Sequence, residues 1–546
     1  MAFAVTVAVA VTAAATRSGW GTVVALLASV VTEVMIGRRS SALLAALRWS
    51  SAGPPARTAL RMFAVLLLAA RCSEPSIVIG TAVAAVVLVT AAIAAEALRY
   101  LVARMRRLPL VSRNLDLGEF AVPDLPPAIT TDPSSADAVA PVIAALGLAI
   151  AMHVTASKGV ATAGLAVAVL IAAVPVIALG THLRTLIRAQ LRSRLTTAAT
   201  TAIEALAPEV ALYFDASAEE LYQLRMWLAP VAQLGRRAVV ILRSYEVFDA
   251  LDDVTLPVIC SPFNGTIASL PLPRRVVALF PTHTGNNLSM VRRPEVRSVF
   301  VGHGDSDKPD SVNPFARVYD EVWVAGPLGR RRYSQADVGV ADRAIVEIGQ
   351  PQAQVTSSRP PQEPTIVYAP TWEGWGNDPH HSSLAQIGPA LIERLMDRPD
   401  LRIRYRPHPL TGQRDPALRA AHQQIIRMVG RVPEDEPLAV TLAGAAGVIG
   451  DVSAVLSEFL PYDRPYAVID TRGLGSSAFV ARFPTAAGGF VVGPDLDRLD
   501  AFIGAALGGP DQTSTARGDL MADVLGDPAT SPDRFADAVS RLLGDR

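Results

Sequence analysis

The stretch Val299-Phe300-Val301-Gly302-His303-Gly304-Asp305-Ser306-Asp307-Lys308-Pro309 decides how the rest of the chain is interpreted. A short run of β-branched and aromatic residues ends in Gly-His-Gly, and a charged loop follows. This pattern is typical of a buried strand that delivers a reactive side chain to the mouth of a cleft. Glycines on both sides let the backbone turn sharply and approach a ligand closely. His303 is suited to proton transfer near neutral pH, and the alternative is a surface turn with an incidental histidine.

Composition sets the broad class of the protein. The chain has 546 residues, which at ~150 residues per domain predicts about three or four domains. The formal net charge is zero, so nothing indicates a nucleic-acid partner. Two cysteines, Cys72 and Cys260, lie far apart in unlike contexts. They form neither a disulfide framework nor a metal site, which indicates a reducing compartment.

The first third of the chain, residues 1–181, has the composition of a membrane region. About 20 apolar residues cross the hydrocarbon core of a bilayer, and the strongest such stretch is 77–98. We predict four to six spans from the apolar segments 2–16, 19–36, 58–72, 77–98, 139–156 and 159–181. Glu33 lies near the end of one segment, where we expect its carboxylate to reach the interface.

Arginine placement orients these segments. The loops before 58–72 and after 77–98 and 159–181 are rich in arginine, whereas the short turns between the other segments are not. The positive-inside rule therefore places everything after residue 182 in the cytoplasm of a multi-pass protein of the cell membrane. Residues 182–206 read as a connecting or interfacial helix with an arginine face.

From residue 207 the pattern changes to alternating strands and helices. Residues 207–350 and 365–546 each show short apolar strands separated by helical segments, and a proline-rich linker joins them. This alternation predicts two doubly wound, Rossmann-like halves, each with a parallel sheet covered on both faces. Ligands of such folds bind at the carboxyl ends of the strands, so we expect a site in the cleft between the halves.

Three further clusters follow predicted strands, as the His303 stretch does. They are Tyr368 to Glu373, Arg404 to Pro409 and Ile449 to Ala454. The second places His408 between two prolines beside Arg406, and the third opens a helix, whose N–H groups can bind phosphate. Each cluster alone also fits a rigid turn, a strand end or a helix cap.

In order and spacing, the four clusters resemble the motifs of the CDP-glycerol glycerophosphotransferase family, the teichoic-acid glycerol- and ribitol-phosphate transferases. That family shows His-Gly-Thr-Pro-Leu-Lys, Tyr-Ala-Pro-Thr-Trp, Arg-Pro-His-Pro and Thr-Asp-Tyr-Ser-Ser. The matching segments here are His303-Gly-Asp-Ser-Asp-Lys308, Tyr368-Ala-Pro-Thr-Trp372, Arg406-Pro-His-Pro409 and Gly450-Asp-Val-Ser-Ala454. The resemblance covers about 207–546 and leaves the membrane region outside.

The resemblance implies a GT-B-like fold and transfer of a polyol phosphate from a CDP-activated donor. His303 is then the base that activates the acceptor hydroxyl, with Gly304, Asp305 and Ser306 on the acceptor side, where Asp305 to Asp307 depart from the family pattern. His408 and Arg406 stabilise the transferring phosphoryl group. The other donor-side candidates are Lys308, Thr371, Asp451, Ser453 and Glu458, the last facing the cytidine ribose or simply the surface.

The implied partners are CDP-glycerol or a related CDP-polyol, membrane lipid and a lipid-linked glycan acceptor. No cofactor is indicated and no metal ligand is assigned; a divalent metal stays possible, although Asp495-Leu496-Asp497 is better explained as helix capping. Two alternatives stay open: a nucleotide-sugar glycosyltransferase on the same fold, and a non-catalytic membrane scaffold. The sequence leaves the acceptor, the polyol and the oligomeric state undetermined.

Overall fold

The computed structural model describes residues 2–39, 53–72, 74–120, 122–126, 136–304, 306–308, 311–352, 363–374, 382–433 and 436–544. It divides into two compact units. The first comprises residues 1–108 and 118–195, and the second comprises 109–117 and 196–546. We name them the membrane unit and the catalytic unit after the roles that the sequence predicts for them, and each is described by itself.

The secondary-structure elements described in the membrane unit are all helices. Its apolar residues run all around the helices rather than along one face, which is the pattern of helices surrounded by apolar material. Four helical segments of the described residues are long and apolar enough to cross a membrane: Gly19–Ile36, Pro75–Arg106, Ala138–Thr155 and Lys158–Leu206. The helices are α1 (Ala2–Ala15), α2 (Gly19–Arg39), α3 (Pro54–Cys72), α4 (Pro75–Arg106), α5 (Ala136–Ile150, continued by a π-helical turn, Ala151–Thr155), α6 (Lys158–Ala189) and α7 (Leu191–Leu206).

Glu33 does not reach the interface as expected. Its carboxylate is buried between α2 and α3, where it pairs with Arg57 at 3.0 Å and with Arg61 at 2.7 Å. Arg61 also donates to the hydroxyl of Ser29 at 2.9 Å. The expectation was wrong because the sequence does not show that two arginines of the next helix face this carboxylate; an ion pair lowers the cost of burying all three charges.

The first half of the catalytic unit is built on an eight-stranded sheet with the order β1-β4-β3-β2-β5-β6-β7-β8. Every neighbouring pair is parallel except β1 with β4. Strands β2, β3 and β5 are buried along their whole length, which explains their unbroken apolar sequence. The strands are β1 (Val111–Arg113), β2 (Val210–Phe214), β3 (Ala238–Leu242), β4 (Val258–Cys260), β5 (Val276–Phe280), β6 (Val296–Phe300), β7 (Glu321–Val324) and β8 (Ile345–Glu347).

Helices cover this sheet between the strands. Ser217 and Glu220 form a capping box, in which the Ser217 N–H donates to the Glu220 carboxylate at 3.2 Å. It opens the segment that leads into the first of these helices. The helices are α8 (Leu221–Gln233), α9 (Tyr245–Ala250), α10 (Asn264–Ala268), α11 (Leu288–Val291) and α12 (Pro327–Ala336).

The second half has a five-stranded, fully parallel sheet with the order β10-β9-β11-β12-β13. Its strands are β9 (Thr365–Ala369), β10 (Arg402–Tyr405), β11 (Gly447–Gly450), β12 (Tyr466–Ile469) and β13 (Phe490–Val492). Its helices are α13 (Leu384–Met396), α14 (Pro416–Val429), α15 (Leu438–Ala443), α16 (Ala454–Phe459), α17 (Ser476–Arg482), α18 (Leu499–Ala506) and α19 (Ser514–Leu525).

The last helix, α20 (Ser531–Leu543), crosses back to the first half. Its residues Phe535, Ala538 and Val539 belong to the core of the first sheet, and the Phe535 ring contacts those of Trp227 and Trp323 at 5.7 and 5.8 Å. The sequence analysis grouped this helix with 365–546. Its apolar face is visible in the sequence, but the sequence does not show which sheet that face covers.

The predicted fold class is confirmed: a helical N-terminal region precedes two Rossmann-like α/β halves in a GT-B-like arrangement. Three short strands were not predicted, namely β1, β8 and β13. Each has only three residues, too few for a pattern of period two to stand out from the surrounding loop.

Candidate active site

Each of the four motif clusters follows a strand, as predicted. His303 follows β6 of the first half, whereas Thr371, His408 and Asp451 follow β9, β10 and β11 of the second. In a parallel sheet the carboxyl ends of all strands lie at one edge. The structure brings the edges of the two halves together, and the contacts described below link them within the catalytic unit.

His303 is held with one ring nitrogen available. Its Nδ1 lies 3.0 Å from the carbonyl oxygen of Pro281. A carbonyl only accepts, so Nδ1 carries the proton and Nε2 keeps a lone pair. Burial lowers the pKa of His303 below its usual value, against the carbonyl contact and the charge of Glu220, which raise it. The ring is therefore neutral at pH 7 and can accept a proton at Nε2.

The loop that carries His303 is anchored on both sides. Gly302 has a φ of +63°, and its carbonyl accepts a hydrogen bond of 2.7 Å from the Trp227 indole. Gly304 has a φ of +130°, and a Cβ atom at this position would lie 2.7 Å from the Cβ of Ala454 in the second half. These two positions require glycine, because one turns the chain and the other allows the halves to meet.

His408 is held in the opposite tautomer. The backbone N–H of Leu410 donates to its Nδ1 at 3.1 Å, so in the neutral ring the proton lies on Nε2. Trp372 stacks on the imidazole with ring centroids 5.7 Å apart. Burial, together with the charge of Lys308, lowers the pKa of His408 to about 3. His408 is therefore a neutral hydrogen-bond donor across the usual pH range.

Tyr222 links the two histidines. Its ring packs edge-on against both imidazoles, with centroids 6.1 Å from His303 and 5.8 Å from His408. Its hydroxyl lies 3.4 Å from Nε2 of His408 and accepts from the Gln223 amide at 3.2 Å. The sequence analysis missed this residue. The sequence feature that could have identified Tyr222 is its position in the first turn of α8, a few residues after the end of β2.

Lys308 crosses from the first half to the second. Its ammonium donates to the Thr371 hydroxyl at 2.5 Å. The backbone N–H of Thr371 donates at 2.8 Å to the buried carboxylate of Asp451. The other Asp451 oxygen accepts from the Ser383 N–H at 3.1 Å. Asp451 thus holds the backbone at Thr371 and Ser383 in place. Its role toward a phosphate stays a prediction.

Arg406 lies two residues before His408, and hydrogen bonds within the second half hold its guanidinium in place. One guanidinium nitrogen donates to the Glu436 carbonyl at 2.7 Å and to the Thr441 hydroxyl at 2.9 Å. Both acceptors are neutral and orient the guanidinium, and the nearby Glu436 carboxylate also acts on its charge. Half-buried Glu458 acts on it electrostatically: burial raises the pKa of Glu458 to about 7, and the charge of Arg406 opposes that rise. A cation thus stays available on this side of the cleft.

Ser453 precedes α16 and is its N-cap by position. Its hydroxyl is buried and makes no hydrogen bond among the described residues. A buried hydroxyl without a partner costs free energy, so a ligand that bonded to it would recover that cost. The role of Ser453 in donor binding stays a prediction, and the buried hydroxyl without a partner is the observation that supports it.

The remaining acceptor-side candidates have different positions. Asp305 lies outside the described residues. Ser306 is buried, and its hydroxyl accepts from the Lys308 N–H at 3.2 Å, so it shapes the loop. Asp307, between them and Lys308, pairs with Arg332 of the first half and accepts from the backbone and side chain of Thr485 in the second. The altered part of the motif therefore joins the two halves.

A third histidine faces the first half of the cleft and was missed. His283 follows β5 and stacks on Phe300 with centroids 3.7 Å apart. Neither of its ring nitrogens has a hydrogen-bond partner among the described residues. Burial, with the charge of His303, lowers the pKa of His283 to about 4. The rule that located the other clusters, a polar residue just past a strand end, also applies here.

The loop after His408 is positioned by Glu373. Its carboxylate accepts the N–H groups of Gly412 at 3.0 Å and Arg414 at 2.8 Å. Burial alone would raise the pKa of Glu373, but these backbone hydrogen bonds outweigh it and the pKa is lowered. Glu373 is thus an ionised positioning residue for the loop that presents His408.

No group of three or more His, Cys, Asp or Glu residues with metal-binding geometry occurs in the part of the chain that the structure describes. Asp495 and Asp497 accept backbone N–H groups of their own turn, but neither caps the helix that follows, α18, whose N-cap is Arg498. The groups available at the site are therefore a lone pair on His303 and hydrogen-bond donors on Lys308, Arg406 and His408.

No protein-family model matches the chain, and no curated protein matches it either. Among solved structures, it is similar to the wall teichoic acid polymerase TagF, at 14% identity, with 66% of this chain and 95% of that chain covered and a TM-score of 0.43. It is also similar to a putative UDP-N-acetylglucosamine 2-epimerase from Listeria monocytogenes (13% identity, 62% and 98% covered, TM-score 0.43). The MnaA–UDP structure from S. aureus is similar at 13% identity, with 62% and 98% covered and a TM-score of 0.42. Likenesses of this extent do not establish the activity of this chain.

Proposed function

We propose that the protein transfers glycerol phosphate from CDP-glycerol to a hydroxyl of a lipid-linked glycan or cell-wall precursor. One observation supports the proposal: the cleft contains a neutral His303 with its lone pair on Nε2, two cationic donors, Lys308 and Arg406, and the neutral donor His408. Such an arrangement suits attack of a hydroxyl on a phosphorus atom.

The proposed step balances as follows. The acceptor oxygen forms a bond to the phosphorus that carries glycerol, and its proton goes to Nε2 of His303. The bond from that phosphorus to the bridging oxygen of the diphosphate breaks, and CMP leaves with the bridging oxygen. Lys308 and Arg406 offset the negative charge of the transferring group, and His408 can turn its Nε2–H from Tyr222 to a phosphoryl oxygen.

The residues divide between the partners of the reaction. His303 and Gly304 belong to the acceptor side, next to a cavity in the first half lined by both apolar and polar residues, among them Phe300, Val301 and Arg332. Arg406, His408, Thr371, Ser453 and Glu458 belong to the donor side. We place the catalytic unit in the cytoplasm, where CDP-activated donors are made, and the membrane unit across the cell membrane as a multi-pass anchor that gives access to lipid-linked acceptors.

The proposal is tested with the full-length protein in lipid nanodiscs, radiolabelled CDP-glycerol and a total lipid-linked glycan extract as acceptor. We expect label to pass to the lipid fraction and CMP to appear in equal amount. UDP- and GDP-sugars are assayed in parallel, and transfer only from a nucleotide sugar would replace the proposal with a glycosyltransferase. If calorimetry also detects no binding of CDP-glycerol or CMP, the protein is a scaffold.

A further inference from the structure

A second cavity lies in the membrane unit, beside the end of α4 and the last third of α6. Its volume is about 350 Å³. Three guanidinium groups and an apolar wall line it together, a combination that the catalytic site does not explain. The arginines are Arg99, Arg106 and Arg107, and the apolar wall includes Val102, Leu125 and Leu179.

This region is strongly basic. Segments 96–107 and 179–195 contain eight arginines and one acidic residue, Glu96. Glu96 pairs with Arg99 at 3.4 Å. Arg106 donates to the Pro123 carbonyl, a neutral acceptor that orients the guanidinium but leaves its charge. The lining of the cavity is therefore cationic and favours an anion.

A buried histidine, His182, lies near Arg106 of the cavity but is not part of the cavity lining. His182 is 9% exposed, and its Nε2 has no hydrogen-bond partner among the described residues. It lies near enough to Arg106 to feel its charge. A buried ring nitrogen without a partner is costly, and a polar headgroup bound next to Arg106 would supply one.

The position along α4 defines the kind of anion. The helix has 32 residues, and ~20 residues cross the hydrocarbon core. Counted from Pro75, Arg99 to Arg107 therefore lie past the core, at the level of the headgroups. A guanidinium group can donate two parallel hydrogen bonds to the oxygens of one phosphate. Basic pockets between membrane helices bind phosphorylated headgroups.

We propose that this cavity binds the phosphate or diphosphate ester of a lipid, with the first part of the lipid chain against Val102 and Leu179. Two sources share this chemistry: an anionic phospholipid of the membrane and a polyprenyl diphosphate carrier. The cavity proposal holds for either source, and only the second rests on the proposed transfer to a lipid-linked acceptor.

The test compares two double variants of the full-length protein in neutral detergent. Arg106→Gln with Arg107→Gln removes two charges from the cavity. Arg184→Gln with Arg188→Gln removes two exposed charges from α6 that do not line the cavity. Native mass spectrometry measures the apparent Kd for phosphatidylglycerol, a polyprenyl diphosphate, phosphatidylcholine and inorganic pyrophosphate.

We expect the cavity variant to bind phosphatidylglycerol or the polyprenyl diphosphate at least about tenfold more weakly than the wild type, because two charge-assisted contacts are lost. The control variant should stay within about twofold. The single variant Arg107→Gln, at an exposed position, keeps the test valid if the double variant does not fold. It should weaken binding about threefold or more.

The outcomes separate the alternatives. If the wild type binds the polyprenyl diphosphate more tightly than phosphatidylglycerol, the cavity is assigned to a carrier lipid. If it binds both with similar apparent Kd values, the cavity is assigned to lipid phosphates in general. Equal losses in the cavity and control variants, or pyrophosphate binding as tightly as the lipids, would overturn the proposal. The measurement involves no CDP-glycerol, so its failure is distinct from failure of the transferase activity.

Discussion

The loops that carry His303 and His408 face each other across the cleft, and they hold the same ring in opposite tautomers. A carbonyl of Pro281 accepts from Nδ1 of His303, whereas the N–H of Leu410 donates to Nδ1 of His408. The first ring therefore presents a lone pair at Nε2, and the second presents a proton. Both histidines follow a strand, but they have different roles because a different backbone atom contacts the Nδ1 of each ring.

The loops also differ in what supports them. The His408 loop is held within its own half, through Glu373. The His303 loop depends on the other half: Gly304 packs against Ala454, Asp307 bonds to Thr485 and Lys308 bonds to Thr371. We therefore expect changes at Gly304, Asp307 or Lys308 to disturb the contact between the halves, whereas a change at His303 itself affects the chemistry.

The largest effect is expected from His303→Ala. Loss of a positioned base lowers turnover by ~10²–10⁴-fold, measured as label transferred from CDP-glycerol, with the thermal unfolding midpoint nearly unchanged. The matched control is His422→Ala, which removes an imidazole of the second half that bonds to Tyr405 at 2.9 Å outside the cleft. Turnover of the His303 variant equal to that of the control would refute the assignment of the base.

Next in size is the loss of the bridge made by Asp307. Asp307→Asn removes the buried carboxylate that offsets the charge of Arg332, and breaking such a pair costs ~3–5 kcal/mol. Asp500→Asn breaks an exposed pair with Arg394 that lies within the second half and should cost about 1 kcal/mol or less. Denaturant unfolding of the two variants compares them directly. Similar costs for both would show that Asp307 does not hold the halves together.

A smaller loss is expected from changes at His408, because it donates a hydrogen bond and does not accept a proton. His408→Ala should lower turnover by ~10²-fold, the usual cost of one lost transition-state donor. His408→Gln keeps an N–H near the position of Nε2 and should recover part of the rate. The same pair of substitutions at His303 should show no such recovery. A glutamine that rescues at position 303 but not at 408 would reverse the two roles.

The smallest effects are expected in the pH dependence. His303 must be neutral to act, and burial lowers its pKa, so kcat/KM should be full at pH 7 and fall only below about 6.5. His408, with a pKa of about 3, cannot cause that fall. A wild-type profile that falls between pH 8 and 7, with a midpoint above 7, would contradict the lowered pKa of His303.

Glu458 provides a separate stability measurement. Burial raises its pKa from 4.5 to about 7, so the folded state favours the protonated form. Its contribution to stability is full below pH 4.5 and is lost as the pH rises through 7. Glu458→Gln should therefore raise the unfolding midpoint relative to the wild type more at pH 8 than at pH 4. An equal difference in unfolding midpoint at both pH values would show that the fold does not raise the pKa of Glu458.

The sequence by itself determined the helical N-terminal region, the two α/β halves and the positions of His303, His408 and Arg406. Apolar runs and strand–helix alternation are local patterns, and glycine or proline marks where a strand ends, so these features needed no knowledge of distant contacts. Ten of the observed strands, including β6 and β9 to β12, were predicted to within about two residues at each end.

Only the tertiary structure decided which side chains meet. Tyr222 contacts both motif histidines from helix α8, His283 stacks on Phe300 from the end of β5, α20 returns to the first sheet, and Asp307 joins the halves. The tautomers of the two histidines likewise depend on backbone atoms fixed by the fold. These contacts join residues distant in the chain, and local propensity and hydrophobic period carry no information about such pairs.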